Sequence, residues 1–340
     1  MKIQFILKRN EVYSFVSYTR RSSGLWNSTR FIIETLNKIP GIKAEIVEVT
    51  DNNDIDREIS RFKPDVVVIE ALWVVPSKFP ILARLHPKVK WYVHLHSHMP
   101  FLALEGIAME WIVAYAKQGI GLIANSKESY EALSTILSRR ELLYLPNVYL
   151  GEMRRVVNRS EKEKVIDIGC FGAMRPLKNH LLQALAAIEF ARKKGKYLQF
   201  HINGSRTETG GEPVLKNLRS LFADGRMGRL IEHPWMEPEE FLDLLHNSID
   251  IGMQVSLTET FNVVSADYVT AGVPVVASKE VSWISRCSQA PDNSVPSILR
   301  AMDRAYRSRI LPAWNQILLE RYSARAQQMW INFCYDNERL

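Results

Sequence analysis

The chain has 340 residues, 46% of them hydrophobic, which excludes a disordered or fibrous protein and predicts two folded domains. Its formal net charge of +7 favours polyanionic partners, either nucleic acid or an anionic membrane face. Cys170, Cys287 and Cys334 lack metal-ligand spacing, which indicates reduced thiols in a cytoplasmic protein rather than a zinc site. The first apolar run is too short for a signal peptide, and no segment has the length of a membrane span.

In the first 150 residues, short apolar runs alternate with amphipathic segments of helical period. Strands that are apolar on both faces and alternate with helices are typical of a parallel sheet covered on both sides. The pattern predicts a doubly wound, Rossmann-like domain over residues 1–150. The expected strands are residues 3–7, 44–49, 65–72, 91–96 and 121–126, with helices at 27–37 and 101–116 among others.

A polar, charged stretch at residues 151–164 is typical of an interdomain linker, and a second alternation follows it. We expect a second Rossmann-like domain over residues 165–310, with strands at 165–172, 197–204, 230–235, 249–256 and 274–278. Residues 311–340 should form one or two helices that either complete this domain or, as we favour, cross back to the first one. Ligands of doubly wound sheets bind beyond the carboxyl ends of the strands, so a cleft between the domains is the expected site.

Residues 256–278, SLTETFNVVSADYVTAGVPVVAS, follow a buried strand and begin a helix. Unpaired backbone N–H groups and the helix dipole make such a start suitable for a diphosphate. Glu259 can accept hydrogen bonds from sugar hydroxyls, and Asp267 from a ribose. In the alternative interpretation, Glu259 is an ordinary acid favoured by the dipole and Asp267 a solvated helix residue. The backbone donors expected at the helix start belong to Thr260, Phe261, Asn262 and Val263.

This string resembles the signature of the retaining glycosyltransferases of family 4, which have the GT-B fold. Ser256, Glu259, Phe261 and residues 271–276 match it. Two positions depart from it: the second acid is Asp267 where the family has Glu, and Asn262 replaces a glycine. The resemblance implies two Rossmann-like domains that face each other across a cleft, with Glu259 holding the transferred sugar and Asp267 the ribose.

Residues 170–187 resemble the strand, glycine turn and helix with which this family binds its donor. Gly172 stands at the glycine turn and Lys178 at the basic position before the helix. Ala173 occupies the place of the family's arginine, so Arg175 is a displaced candidate. Residues 122–126 and 145–148 resemble the family's last N-terminal strand and its interdomain hinge. The resemblance implies that Lys178, Arg175 and the helix start neutralise the diphosphate without a metal ion or other cofactor.

Three histidines, His94, His96 and His98, occur near the end of one predicted strand, where alternation places them on one side. The family often has one histidine here that contacts the donor sugar, and the LHS setting selects His96. A three-histidine metal site is disfavoured because this spacing on a strand spreads the rings apart. For His94 a structural role within the sheet is the favoured interpretation.

The family also has a glycine-rich loop after the first strand, which approaches the diphosphate. Gly24 is the candidate for that glycine here. Basic and aromatic residues around it, Arg20, Arg21 and Trp26, suit an acceptor that is both anionic and aromatic. The alternative is a surface loop packed by its own aromatic side chains.

The N-terminal segment SSGLWNSTRF resembles family 4 enzymes of tailed bacteriophages, which would place the protein in the host cytoplasm. The resemblance implies transfer of a hexose from a nucleotide sugar, expected to be UDP-linked, with retention of configuration. Three hypotheses remain. The favoured acceptor is a hydroxymethylated pyrimidine in double-stranded phage DNA; the alternatives are a glycan or lipid acceptor at a membrane face, and a nucleotide-sugar-binding module without catalysis.

Overall fold

The structure, a computed structural model, describes residues 1–9, 24–156, 164–208 and 210–338. They form two compact units: unit 1 contains Met1–Leu150 and Ser323–Leu340, and unit 2 contains Gly151–Tyr322. Part of the predicted linker, residues 157–163, lies outside the described residues. The division between the units falls inside the last helix, whereas the sequence analysis placed it at residue 311.

Unit 1 contains a six-stranded parallel sheet in the order β2-β1-β3-β4-β5-β6. Its helices are amphipathic; α2, for example, buries Ile55, Ile59 and Phe62 on one side. The strands are β1 (Lys2–Lys8), β2 (Lys43–Val49), β3 (Val66–Glu70), β4 (Lys90–Leu95), β5 (Gly121–Ala124) and β6 (Leu142–Tyr144). The helices are α1 (Gly24–Leu36), α2 (Asp54–Phe62), α3 (Phe79–Leu85), α4 (Met99–Leu102), α5 (Ala108–Lys117) and α6 (Lys127–Leu133).

Unit 2 contains a second six-stranded parallel sheet, in the order β12-β11-β10-β7-β8-β9. The strands are β7 (Val165–Gly169), β8 (Tyr197–Asn203), β9 (Arg229–His233), β10 (Ile251–Gln254), β11 (Val275–Ser278) and β12 (Gln289–Ala290). The helices are α7 (His180–Lys193), α8 (Gly211–Leu221), α9 (Pro238–Ser248), α10 (Val263–Thr270), α11 (Val295–Arg307) and α12 (Leu311–Glu338), of which α12 ends in unit 1. No helix in the described ranges is long and apolar enough to cross a membrane.

The prediction of two doubly wound parallel sheets is confirmed. Sequence analysis missed β6 and β12, which have three and two residues and are too short to show a hydrophobic period. It also extended several strands into the loops that follow them; β4 ends at Leu95 and β10 at Gln254.

Each sheet contains one point at which the chain reverses the side on which it adds strands. In unit 1, β2 lies on one side of β1 and β3 on the other; in unit 2, β8 lies on one side of β7 and β10 on the other. The loops that leave two such neighbouring strands diverge, which opens a crevice at their carboxyl ends. Binding residues are therefore expected after β1 and β3 in unit 1 and after β7 and β10 in unit 2.

Two glycines allow a helix to pack closely on the sheet at the reversal point of unit 2. Gly169 of β7 and Gly252 of β10 are directly paired. A Cβ atom on Gly169 would lie 2.5 Å from the Tyr268 hydroxyl, and one on Gly252 would lie 2.6 Å from the Tyr268 ring. Because side chains are excluded at both positions, the fully buried Tyr268 can bring α10 down onto the two strands.

The C-terminal part of α12 completes the core of unit 1. Trp330 is fully buried, and its ring lies 5.8 Å from that of Phe5 on β1 and 5.4 Å from that of His94 on β4. The indole Nε1–H donates a hydrogen bond of 2.9 Å to the Pro146 carbonyl. This helix therefore stabilises the sheet to which the first 150 residues contribute all six strands.

Trp330→Ala is expected to destabilise unit 1 by about 3–5 kcal/mol, because it leaves a large cavity and an unpaired carbonyl. Hydrogen exchange followed by mass spectrometry should show faster exchange of the β1 and β4 amides and unchanged exchange of β7 and β10. Tyr335→Ala, on the same helix with 44% of the residue exposed, is the control and should stay within about 0.5 kcal/mol of wild type. Equal protection of β1 in both variants would contradict this role for Trp330.

Candidate active site

In unit 2, the loops after β7 and β10 are joined by hydrogen bonds across the reversal point. The Asn179 side chain, just before α7, donates to the carbonyl of Val255, and the Gln183 side chain accepts from the amide of the same residue. The Leu257 amide donates to the Leu177 carbonyl at 2.9 Å, and the Gln254 side chain to the Phe171 carbonyl at 2.8 Å. The two loops therefore form one fixed surface at the expected crevice.

Lys178 and Glu259, which come from these two loops, are in direct contact. Lys178 Nζ lies 2.5 Å from Glu259 Oε1, and the side chains are only 12% and 7% exposed. Partial burial of two charges is costly, and mutual pairing offsets that cost. The crevice thus holds a positive group suited to phosphate next to a negative group suited to hydroxyls.

The loop carrying Glu259 leads into α10 through an unusual residue. Asn262 has a left-handed backbone conformation, φ 63° and ψ 84°, which glycine adopts at little cost and asparagine tolerates. Its side-chain oxygen accepts from the Ser265 amide at 2.7 Å, while its amide nitrogen donates to Gln254 Oε1 at 3.1 Å. The left-handed conformation explains why asparagine can replace the family's glycine at this position. The Asn262 side chain also caps the N-terminus of α10.

The structure moves the predicted helix start and changes the interpretation of Phe261. The helix begins at Val263, so Thr260, Phe261 and Asn262 precede it and Glu259 is outside its first turn.

The Phe261 ring is buried, 5.6 Å from that of Trp283 and 5.2 Å from that of Tyr322. The Phe261 side chain therefore packs in the core beneath the loop, whereas the predicted donor contact belongs to its backbone N–H and stays a prediction. Asp267, within α10, is half-buried.

Arg175 lies in a group of charges that the sequence analysis did not foresee. One of its guanidinium nitrogens is 3.1 Å from Glu208 Oε2, and Arg206 contacts the other oxygen of Glu208 at 3.1 Å. Arg206 also lies 4.3 Å above the ring of Trp235. Two arginines therefore share the Glu208 carboxylate beside the β7–α7 loop.

Gly172 has φ 118°, a conformation that favours glycine. Its amide donates to the Asn203 side-chain oxygen at 2.8 Å. The same Asn203 donates to the Pro234 carbonyl at 3.3 Å. The Gly172 amide is therefore part of the hydrogen bonding between the β7 and β8 loops, and its predicted place in a donor site stays a prediction.

The N-terminal candidates are only partly described. Arg20 and Arg21 lie outside the described residues. Gly24 is the first residue of α1, and Trp26 lies in the same helix with the Arg30 guanidinium 6.0 Å from its ring.

In unit 1, a buried acid holds two of the three histidines. Glu70 ends β3 with none of its surface exposed, and its Oε2 lies 3.2 Å from His94 Nδ1 and in contact with His96 Nε2. Burial alone would raise the pKa of Glu70, but the charges and hydrogen bonds of the two histidines lower it to about 2. Burial lowers the pKa of His96, and the charge of His94 lowers it further, whereas Glu70 acts to raise it. His98 lies beyond the strand and precedes α4.

Among the described residues, the ligand atoms of Glu70, His94 and His96 all lie within 4.8 Å of one another, close enough for a metal ion. Two ligands of one zinc ion lie about 3 Å or more apart, because each is about 2 Å from the metal. His96 and Glu70 instead contact each other directly as donor and acceptor.

Sequence analysis missed Glu70, Arg206, Glu208 and a chain of buried groups in unit 2. In that chain His201 Nε2 lies 2.9 Å from Asp167 Oδ1, and His201 Nδ1 lies 2.9 Å from His233 Nε2. Burial, then His201, lowers the pKa of His233 to about 4. The sequence does contain a signal for these groups, since an acid or a histidine interrupts an otherwise apolar strand. A search for hydrophobic periodicity alone ignores such residues.

No protein-family model and no curated protein matches the chain. Solved structures do match it over its whole length. HepE of Anabaena in complex with UDP and glucose is 13% identical with a TM-score of 0.64, covering 100% of both chains. Sucrose-phosphate synthase of Thermosynechococcus elongatus is 13% identical with a TM-score of 0.66, covering 99% of this chain and 98% of that one. A trehalose-6-phosphate synthase studied for glycosyltransfer with retention is 10% identical, with a TM-score of 0.63 and 99% of each chain covered.

At these identities the similarity establishes the fold alone. The fold is GT-B, as the sequence analysis predicted. Both sheets have the doubly wound order of its two Rossmann-like domains.

His180, the first residue of α7, makes folding sensitive to acid. It is 1% exposed, and burial, followed by Lys178 and Arg175, lowers its pKa from 6.5 to about 3. The unfolded chain gains a proton there below about pH 6.5 and the folded protein does not, so stability is lost as pH falls toward 3. Relative to wild type, His180→Gln should gain up to about 1.4 kcal/mol of unfolding free energy per pH unit below 6.

Urea unfolding of both proteins between pH 8 and pH 5 measures this difference. Between pH 7 and pH 8 the two curves should run parallel, which provides the internal control. A constant difference across the whole range would show that His180 is not kept neutral by the fold.

Proposed function

We propose that the protein is a retaining glycosyltransferase that moves a hexose from a nucleotide sugar, expected to be UDP-linked, to an acceptor hydroxyl. The observation that carries the proposal is the Lys178–Glu259 pair at the reversal point of the unit 2 sheet. A cation for the leaving diphosphate and an anion for the sugar hydroxyls adjoin at the place where doubly wound folds bind ligands. The GT-B fold and the UDP bound in HepE agree with it.

In the proposed reaction, the diphosphate replaces Glu259 as the partner of Lys178. The ammonium group then stabilises the negative charge that grows on the leaving phosphate, and Arg175 adds to the positive field. Glu259, released from the lysine, accepts hydrogen bonds from the sugar hydroxyls and fixes the anomeric carbon in place. Asp267 accepts from the ribose hydroxyls.

Retention follows from attack by the acceptor hydroxyl on the face that the leaving group vacates. The bond from the anomeric carbon to the phosphate oxygen breaks, the new bond to the acceptor oxygen forms, and the departing phosphate takes the acceptor's proton. No enzyme nucleophile is needed on this route. A trehalose-6-phosphate synthase of the same fold was studied for glycosyltransfer with retention, and this supports the proposal of a retaining reaction.

Glu259→Gln and Lys178→Ala are each expected to lower transfer by at least about 100-fold, because each removes a charge that acts on the transferred sugar or the leaving group. Initial rates with radiolabelled donor measure the effect, and circular dichroism confirms the fold. Glu189→Gln and Lys193→Ala are matched controls: they split a partly exposed pair, 3.6 Å apart on α7, and should change the rate less than about twofold. Normal turnover in either site variant would show that the donor site lies elsewhere.

For the acceptor we favour a hydroxymethylated pyrimidine in double-stranded DNA of a bacteriophage that encodes the enzyme. The net charge of +7 supports a polyanionic acceptor. A base in a duplex would have to leave the stack to reach the transferred sugar. The alternative acceptors are a cell-surface glycan or a lipid-linked sugar, and a module that binds the donor without transferring it is the third hypothesis.

One panel distinguishes the three hypotheses. Labelled UDP-glucose, UDP-N-acetylglucosamine and GDP-mannose are offered with hydroxymethylcytosine DNA, hydroxymethyluracil DNA, ordinary DNA and lipid extract. We expect label in one modified DNA, and DNA binding that weakens steeply between 50 and 200 mM salt on the order of 1000-fold. Label in lipid alone would exclude the DNA acceptor, and donor binding without transfer or hydrolysis would leave the binding module.

A further inference from the structure

Unit 2 contains a recess at the outer edge of its sheet, apart from the crevice after β7 and β10. Its volume is about 410 Å³, within the roughly 300–1,000 Å³ of small-molecule sites. The outer strand here is β12, and β11 separates it from β10. None of the six residues that line the recess is acidic, and three are arginines, so we refer to it as the arginine recess. The lining residues are Arg286, Gln289, Pro291, Ser297, Arg300 and Arg304.

Arg304 is held in place by the backbone of the segment that contains β12. Its Nε donates to the Cys287 carbonyl at 3.0 Å, and one terminal nitrogen donates to the Gln289 carbonyl at 3.1 Å. A guanidinium group has five N–H donors, so these two bonds leave three for another acceptor. The orientation of Arg304 is therefore fixed, while most of its donors are still available.

In the part of the chain that the structure describes, no acid forms an ion pair with the three arginines of the recess. Asp303 lies on α11 between Arg300 and Arg304, but its carboxylate pairs with Lys194 at 2.7 Å and with Arg307 at 3.1 Å. The acid next to Arg300 on α11 thus has other partners.

Asp292 is an acid whose carboxylate the Arg300 charge influences. It accepts hydrogen bonds from the hydroxyl and the amide of Ser294. Those bonds and, to a smaller extent, Ser297 and the charge of Arg300 lower the pKa of Asp292, so it is ionised at neutral pH. Its single charge is fewer than the three positive charges that line the recess.

The arginines also repel one another. Arg300 and Arg304 are four residues apart on α11, which makes them neighbours on one face of the helix, where like charges destabilise it. The first turn of the same helix contributes Ser297 to the recess, and the dipole is positive at that end. An anion bound in the recess would reduce the repulsion and accept the remaining N–H groups.

We propose that the arginine recess binds the phosphate group of a small phosphorylated molecule. Guanidinium groups match phosphate oxygens with pairs of hydrogen bonds. A phosphomonoester carries a charge of about −2 at pH 8, because its second pKa is about 6, whereas each phosphate of DNA carries one charge. Three cations around one recess therefore favour a phosphomonoester over a nucleic-acid backbone. This site is independent of the proposed glycosyl transfer, in which Lys178 binds the diphosphate.

Calorimetric titration of the whole chain at pH 8 with inorganic phosphate, at constant ionic strength, tests the proposal. Arg286→Gln and Arg300→Gln should each weaken binding about tenfold, because each removes charged hydrogen bonds to the anion. Both residues are exposed, so the fold should be unaffected. Arg229→Gln is the matched control: it removes the same charge from an exposed arginine on β9, at the opposite edge of the sheet, and should leave binding unchanged.

Phosphate could also enter the candidate active site, so the titrations are repeated in a Lys178→Ala background. The Lys178→Ala protein should still bind phosphate, and addition of Arg286→Gln and Arg300→Gln should remove that binding. The proposal is overturned if Lys178→Ala alone abolishes saturable binding, or if the two arginine substitutions leave it intact.

Two phosphate esters and a short DNA duplex distinguish the sources of the phosphate. Methyl phosphate should bind at least about tenfold more tightly than dimethyl phosphate, which carries a single charge. Equal binding of the two esters would contradict a site for phosphomonoesters. If wild type bound no small phosphate, but the two arginine substitutions weakened DNA binding more than Arg229→Gln does, the arginines would belong to a DNA-binding surface and the proposal would be wrong.

Discussion

The pairing of β7 with β10 is the constraint on which the candidate site of unit 2 depends. The two strands are far apart in sequence, and their parallel register brings the loops that follow them to the same edge of the sheet. The packing of α10 on these two strands requires Gly169 and Gly252, because any side chain there would collide with Tyr268. The parallel pairing of β7 and β10 thus brings Lys178 from one loop into contact with Glu259 from the other.

Charge compensation is common to the candidate groups of both units. Lys178 is paired with Glu259, and Glu70 with two histidines, so each of these charged groups has a partner within the protein. Such pairs cost more to desolvate than apolar contacts, and they add little to stability by themselves. Their position at the carboxyl edges of the two sheets agrees with a proposed role in binding a ligand.

Much of this arrangement follows from the sequence, and the exceptions have physical causes. The alternation of apolar runs and helices predicted both sheets, and the spacing around Glu259 selected the loop that contacts Lys178. Phe261 lay in the matching string, yet its orientation depends on Trp283 and Tyr322, which are distant in sequence.

Glu70 was not predicted, because an acid at the end of an apolar strand leaves the hydrophobic period intact and its histidine partners belong to the next strand. The replacement of glycine by Asn262 is explained by a left-handed backbone angle, which no residue pattern displays.

The position of Trp330 has a consequence for the order in which the protein folds during synthesis. Most of unit 1 is synthesised before unit 2, but its core includes Trp330, which is synthesised after unit 2 and packs against Phe5 of β1 and His94 of β4. Unit 2, by contrast, is continuous in sequence from Gly151 to Tyr322. The nascent unit 1 sheet must therefore wait, with part of its apolar surface uncovered, while unit 2 is made and can fold on its own. Chaperone dependence during translation would then be concentrated in the first half of the chain.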